Sequence, residues 1–341
     1  MEFLEMEKKY NKALVIGKFM PLHKGHIALI NFACQHANTT IVCALAHDDE
    51  PISLDQRVEW LKQTSFSGSV EVRGLSFDAQ KLNPSSQSDR QSAMDWVDFL
   101  QNQLQDFNEI DVFVGSELYV KYMADYIGIQ YIIFDEQRVQ VSISATAIKN
   151  DPIKNWDYLA PAVKRTYVMH ICICGSESTG KTTVSKTLEQ KYDCVTLIPE
   201  IGRCIVGKSE LCTIEQLCRI YDIHHQLLEA VIYDPPTPIV LWDTDNLTTL
   251  SYFNFLFPNC SSDIIIKNRP YLLASKYFFF ESNIDFVDDN TRLAEDAAYA
   301  LRNNHIQIYQ QAGVELEFVT ENRLQLVDRF ISRLVKQLSK L

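Results

Sequence analysis

Short apolar runs alternate with longer stretches of helical periodicity along almost the whole chain. Residues 13–16, 40–46, 69–74, 111–114 and 130–134 are runs of strand length. Between them, 54–64 and 93–106 repeat apolar positions at the spacing of one helix face. The rhythm restarts at 168–174 and continues through strand runs at 196–198, 239–242, 277–280 and 315–319. A helix is predicted over Lys181–Lys191, and an amphipathic helix over 322–338 closes the chain. Strands alternating with helices in this way predict an α/β fold with two doubly wound parallel sheets.

Asp151-Pro152 interrupts one helical run and Pro161 stands ahead of the run at 168–174, so the boundary is read at 150–166. The expected domains are 1–155 and 166–341. At 341 residues the chain suits two cores better than one, because domains usually hold ~100–200 residues. No internal repeat is visible.

The first candidate site lies just after the first strand, in Gly17-Lys18-Phe19-Met20-Pro21-Leu22-His23-Lys24-Gly25-His26. Gly17 and Gly25 let a ligand or main chain approach closely, Pro21 stiffens the loop, and two imidazoles stand at a helix N-terminus. That combination is an anion site with two donors. A metal pair lacks a third ligand nearby, and a helix N-terminus favours anions over cations. The second candidate, Gly175-Ser176-Glu177-Ser178-Thr179-Gly180-Lys181-Thr182, fits G-x-x-x-x-G-K-[ST] between a strand and a helix. Its main-chain N–H groups suit the β-phosphate of ATP, with Thr183 beside them. Lys181 suits the β/γ oxygens, and the Thr182 hydroxyl suits Mg²⁺. Asp243, ending the run at 239–242, could hold the metal or take a proton from a hydroxyl. Glu200 and Arg203 follow the second strand, where acceptor substrates lie in P-loop kinases. A lid arginine is expected at Arg292, or else Arg302.

The first string resembles that of the nucleotidyltransferase superfamily, G-x-F-x-P-x-H-x-G-H, at every fixed position. The resemblance implies that His23 and His26 hold ATP phosphates, with Gly17, Lys18, Phe19 and Gly25 around the nucleotide. Ile143-Ser144-Ala145-Thr146-Ala147-Ile148-Lys149 is similar to that superfamily's I-S-x-T-x-I-R. Ser144 and Thr146 would then cap a helix that binds pyrophosphate, and Lys149 would replace the arginine, keeping charge but losing the bidentate fork. Such a domain followed by a P-loop kinase resembles the NadR family, which joins a nicotinamide-nucleotide adenylyltransferase to a ribosylnicotinamide kinase. Glu200-Ile201-Gly202-Arg203 is similar to that family's E-Y-G-R, and Asp243-Thr244-Asp245 with Thr248-Thr249 to its D-T-D-x-x-T-T. Phe286-Val287-Asp288-Asp289 with Arg292 is similar to W-V-D-D-x-x-R, with Phe in place of Trp.

The resemblance implies an enzyme that uses ATP and Mg²⁺, converts nicotinamide riboside to nicotinamide mononucleotide (NMN), and converts NMN to NAD. Asp245, Phe286 and Asp288 would meet the riboside. In a stretch that resembles an R-x-x-W-L helix, Trp60 would bear on the pyridinium of the mononucleotide and Arg57 would help order that substrate site. A fusion of phosphopantetheine adenylyltransferase with dephospho-coenzyme A kinase is the enzymatic alternative. A catalytically decayed nucleotide sensor is the other, although His23, His26, Lys181 and Thr182 are all retained. Full-length NadR proteins carry a helix-turn-helix domain in front, for which too few residues precede the first strand.

The formal net charge of −12 argues against a sequence-independent grip on nucleic acid. The acidic start lacks a secretory pattern and no apolar stretch is long enough to span a bilayer, so a cytoplasmic enzyme with small-molecule partners is expected. A homo-oligomer is compatible with these features. The nine cysteines show no metal-ligand spacing and are read as buried free thiols.

Overall fold

In the computed structural model of the chain, which describes residues 8–83, 89–137, 139–206, 212–281 and 295–339, the alternation resolves into two separate sheets. Contacts divide the chain into Met1–Val163 and Lys164–Leu341.

The first unit runs β1 (Tyr10–Gly17), α1 (Lys24–His36), β2 (Ala37–Ala46), α2 (Leu54–Lys62) and β3 (Ser69–Ser76). It continues with α3 (Arg90–Gln103), β4 (Val112–Gly115), α4 (Tyr119–Ile127), β5 (Gln130–Ile133) and α5 (Ala145–Asn150). The strand order is β3-β2-β1-β4-β5, and every pairing is parallel. β2 is buried along almost its whole length, as a strand covered by helices on both faces must be. Leu14, Ile41, Cys43, Val97, Leu100, Phe113 and Met123 share one core on one side of the sheet. β1 starts ahead of the run read at 13–16, because Tyr10 and Lys12 already pair with Ala37 and Thr39 of β2; the Asp111 carboxylate also accepts from the N–H groups of Asn11 at 2.8 Å and Lys12 at 2.9 Å.

The second unit contains most of α6 (Pro161–Tyr167), then β6 (Met169–Gly175), α7 (Lys181–Lys191), β7 (Val195–Ile198), α8 (Gly202–Ile205) and α9 (Ile214–Tyr233). After these come β8 (Ile239–Asp243), α10 (Asn246–Leu256), α11 (Asp263–Ile266), β9 (Lys276–Phe280), α12 (Glu295–Gln311), β10 (Leu316–Val319) and α13 (Arg323–Leu338). Its strand order is β10-β9-β6-β8-β7, again all parallel. β6 and β8 are central and buried, with Cys172, Val240, Trp242, Phe279, Leu247 and Tyr309 in one core.

Pro161, read from sequence only as a mark of the boundary, opens a helix not predicted there, α6; at the first helical position its missing N–H costs no bond. The cysteines also differ from expectation: all nine are free, but Cys204 is exposed and Cys218 and Cys260 are half-buried. Among the described residues no helix is long and apolar enough to cross a membrane.

Candidate active sites

In the first unit, β1 ends at Gly17 and the loop turns sharply into α1. Gly17 leaves the Phe19 ring its place, since a Cβ there would sit 3.1 Å from the ring and crowd it. Phe19 itself takes a left-handed backbone, φ 46°, and is buried. His23 is the N-cap of α1, and its Nδ1 accepts from the Gly25 N–H at 3.1 Å. In the neutral ring this puts the proton on Nε2. His26 stacks on His23 with ring centroids 3.7 Å apart, while the Phe19 ring meets its edge at 5.0 Å. Burial, helped by His23, drives the His26 pKa well below its ordinary value. Its Nδ1 is buried without a hydrogen-bond partner.

These residues line a cavity of about 530 Å³ together with Lys18, Ser144, Thr146 and Lys149. The Ser144 hydroxyl caps α5 by accepting from the Ala147 N–H at 3.1 Å; Thr146 lies inside the first turn and makes no cap. Lys149 is exposed, and partial desolvation lowers its pKa.

Two expected substrate contacts are corrected here. Arg57 lies behind the loop, fully buried, and its guanidinium donates to the carbonyls of Ile52, Leu45 and Lys18 and to Met20 Sδ. It also pairs with Glu50 at 2.7 Å. With its donors spent on this scaffold, Arg57 positions the loop and does not line the cavity. Trp60 is buried in the core and does not line it either. The half-buried indole on the cavity wall belongs to Trp96, edge-to-face with Phe77 at 4.9 Å. Sequence periodicity marked Trp96 only as a residue of a helix. Glu50 was also missed: it bridges Arg57 and Lys18, the latter at 2.8 Å. Burial acts to raise its pKa, but the Lys18 and Arg57 hydrogen bonds outweigh that and hold the carboxyl below its usual range.

In the second unit, β6 feeds the glycine loop. Gly175 has φ 114°, and a Cβ there would fall 2.3 Å from the Phe280 carbonyl oxygen on neighbouring β9. Gly180 and Ser178 also take left-handed backbones. The Thr179 hydroxyl donates to the Ser176 carbonyl at 2.8 Å, a tie within the loop, and Thr183 is exposed on the first turn of α7. Lys181 folds back: its buried ammonium donates to the carbonyls of Gly175 at 3.0 Å and Ser176 at 2.7 Å. Burial lowers its pKa, against the pull of Glu200 and Asp243.

Register pairs Asp243 with Ile173, which brings the carboxylate to the loop's base. Asp243 is fully buried, with both oxygens unpartnered, and burial raises its pKa. The Thr182 hydroxyl lies close enough to favour the charged form, yet makes no well-formed hydrogen bond. Three buried, orphaned hard oxygens at a phosphate loop suit a divalent cation shared with a nucleotide. Among the described residues no larger cluster of metal-ligating side chains exists.

A second cavity of about 320 Å³ is lined by Glu177, Ser178 and Lys181 on the loop side and by Glu200 and Arg203 on α8 and the residues before it. Arg203 pairs with Glu200 at 2.6 Å. Asp245 does not reach this cavity. It caps α10, accepting from the Thr248 N–H at 3.0 Å and the Tyr309 hydroxyl at 2.6 Å, so the expectation of a substrate contact is corrected to a structural cap. Arg302 pairs with Glu281. Phe286, Asp288 and Arg292 lie outside the described residues. His224 and Tyr252 line the cavity and were not singled out from sequence, because each falls inside an apolar helical pattern.

Comparison with known proteins agrees with this division. The family described as cytidylyltransferase-like matches residues 14–151, and that described as an AAA domain matches 170–325. The trifunctional NAD biosynthesis/regulator protein NadR of Salmonella typhimurium is 27% identical over 94% of this chain and 81% of its own length. The NadR of Escherichia coli is 28% identical over 73% of this chain and 65% of its own. Two solved NadR structures, one with NR and one with NAD and AMP-PNP, share the fold, at TM-scores of 0.54 and 0.50. They are 17% and 16% identical and cover 96% and 97% of both chains. With a nucleotidyltransferase-like unit ahead of a P-loop kinase-like unit, the chain is similar to the NadR proteins over most of its length.

Proposed function

We propose that the second unit phosphorylates the 5′-hydroxyl of nicotinamide riboside with ATP, and that the first unit then joins the resulting NMN to an adenylyl group from ATP, giving NAD and pyrophosphate. The observation that carries this reading is the presence of two glycine-bearing strand-to-helix loops, one with His23 and His26 and one with Lys181, each in its own sheet, in a chain similar to NadR proteins over most of its length.

In the first unit His23 Nε2 and the desolvated His26 would donate to the phosphates of ATP as charge shifts toward the leaving pyrophosphate. Lys18 and Lys149 would add positive charge on the same cavity wall. Such donors act strongly in a site shielded from water and need no covalent intermediate. In the second unit Lys181 must leave its own loop carbonyls to meet the β- and γ-phosphates. Thr182 and Asp243 would hold Mg²⁺, which when bound neutralises phosphate charge. Glu200, beside Arg203, would accept from a hydroxyl of the riboside.

The test is incubation of the protein with ATP, Mg²⁺ and either nicotinamide riboside or phosphopantetheine, with products separated by chromatography. NMN and then NAD should form from the riboside. Adenylylation of phosphopantetheine and phosphorylation of dephospho-coenzyme A instead would overturn the assignment.

A further inference from the structure

One imidazole on the wall of the kinase cavity has no role in the chemistry above. Leu217, Ile220 and His224 stand at helical spacing on α9, so the cavity meets a stripe of two aliphatic side chains followed by a ring nitrogen. His224 is 1% exposed, and its Nε2 is buried without a hydrogen-bond partner. A buried polar atom left unpaired is costly, and one on a side chain that lines a ligand cavity can be satisfied by a ligand group. The next residue, His225, is engaged differently, with Nδ1 3.5 Å from the Asn246 side-chain nitrogen.

We infer that His224 is a specificity-determining residue of the kinase unit, hydrogen-bonding through Nε2 to the carboxamide of the nicotinamide ring while Leu217 and Ile220 support the ring's face. The assignment rests on the riboside kinase reading given above.

The chemistry of the partner follows from the cavity. A planar aromatic ring suits the aliphatic part of the stripe, and its in-plane substituent then reaches the imidazole. A carboxamide carries both a donor and an acceptor, so it satisfies Nε2 in either neutral tautomer. Burial lowers the His224 pKa to about 4, so the imidazole is uncharged near neutral pH. A neutral ring does not repel the cationic pyridinium, whereas an imidazolium would. Glu177 and Glu200 on the same cavity balance the pyridinium charge.

The experiment compares nicotinamide riboside with pyridinium riboside, which lacks the carboxamide, in the full-length protein with ATP and Mg²⁺. Wild type should phosphorylate the carboxamide riboside with a KM about tenfold lower. His224→Phe should raise that KM by about the same factor and erase the preference. The KM values for pyridinium riboside and for ATP should stay within about twofold, the effect left when no hydrogen bond is at stake. His224→Gln, which keeps a donor and an acceptor, should restore part of the preference. An unchanged thermal transition shows that each variant is folded, and the Gln variant carries the test if Phe does not fit. A preference that survives His224→Phe, or an equal loss on both ribosides, overturns this assignment alone. A wild type inactive on both ribosides overturns the kinase reading and the assignment with it.

Discussion

His170, near the buried start of β6, has neither ring nitrogen hydrogen-bonded, and its ring tilts against Trp242 at 5.3 Å. Burial lowers its pKa to about 4. A histidine with a depressed folded-state pKa is neutral in both states above ~6.5, whereas between ~6.5 and ~4 the unfolded chain binds the proton more readily. Stability therefore falls as pH drops through that window. His170→Phe keeps the ring's bulk and removes both orphaned nitrogens. The variant should equal or exceed wild type at pH 7, and its advantage should grow by about 1–2 kcal/mol at pH 5. Urea denaturation at the two pH values measures this, and an advantage that does not change with pH would show that the imidazole is paired or hydrated. In the sequence His170 was legible only as a polar residue inside an apolar run. His23 and His26 were legible because their spacing and glycines have a use; Arg57 and Trp60 had motif-like neighbours, but burial made them scaffold.

The glycine loop is built by a strand end as much as by its own letters. β6 and β9 are in register at Gly175 and Phe280, and the Ser176 N–H donates to the Phe280 carbonyl at 3.0 Å. A side chain at 175 meets that same carbonyl in a backbone conformation that L-residues rarely adopt. Gly175→Ala should therefore destabilise the second unit by at least about 3 kcal/mol and abolish its phosphoryl transfer. Differential scanning calorimetry would show the lowered transition, and a variant with a wild-type transition and full kinase activity would refute the packing argument. α7 was predicted with its observed ends, because Lys181 follows the αL residue Gly180 and the amphipathic pattern stops at Lys191. The Ser144 cap of α5 was also expected, from the resemblance of its motif. The short helices α8 and α11 hold only four residues each and leave no period to read.

Each unit has its own sheet, core and candidate phosphate-binding loop, and on that basis the two chemistries should be separable. Lys181→Ala should lower riboside phosphorylation by about 10²-fold or more while adenylyl transfer from supplied NMN persists. His26→Ala should do the reverse, with a loss of ~10²–10³ in NAD formation and accumulation of NMN from riboside. Coupled and single-step assays on folded variants distinguish the outcomes. Loss of both activities in both variants would point to a composite site. The sequence by itself determined the α/β class, the order of the two units and the two candidate anion-binding loops, because these depend on local period, glycine placement and short spacing. Only the tertiary structure decided which polar residues line the cavities. Arg57, Trp60 and Asp245 turned inward to carbonyls, core and a helix cap, while Trp96 and His224 line the cavities from elements distant in sequence and Glu50 holds Lys18 from a loop. The physical reason is that burial and hydrogen-bond pairing arise from strand register and helix packing across the sheet, and no local pattern encodes which face a given side chain will share.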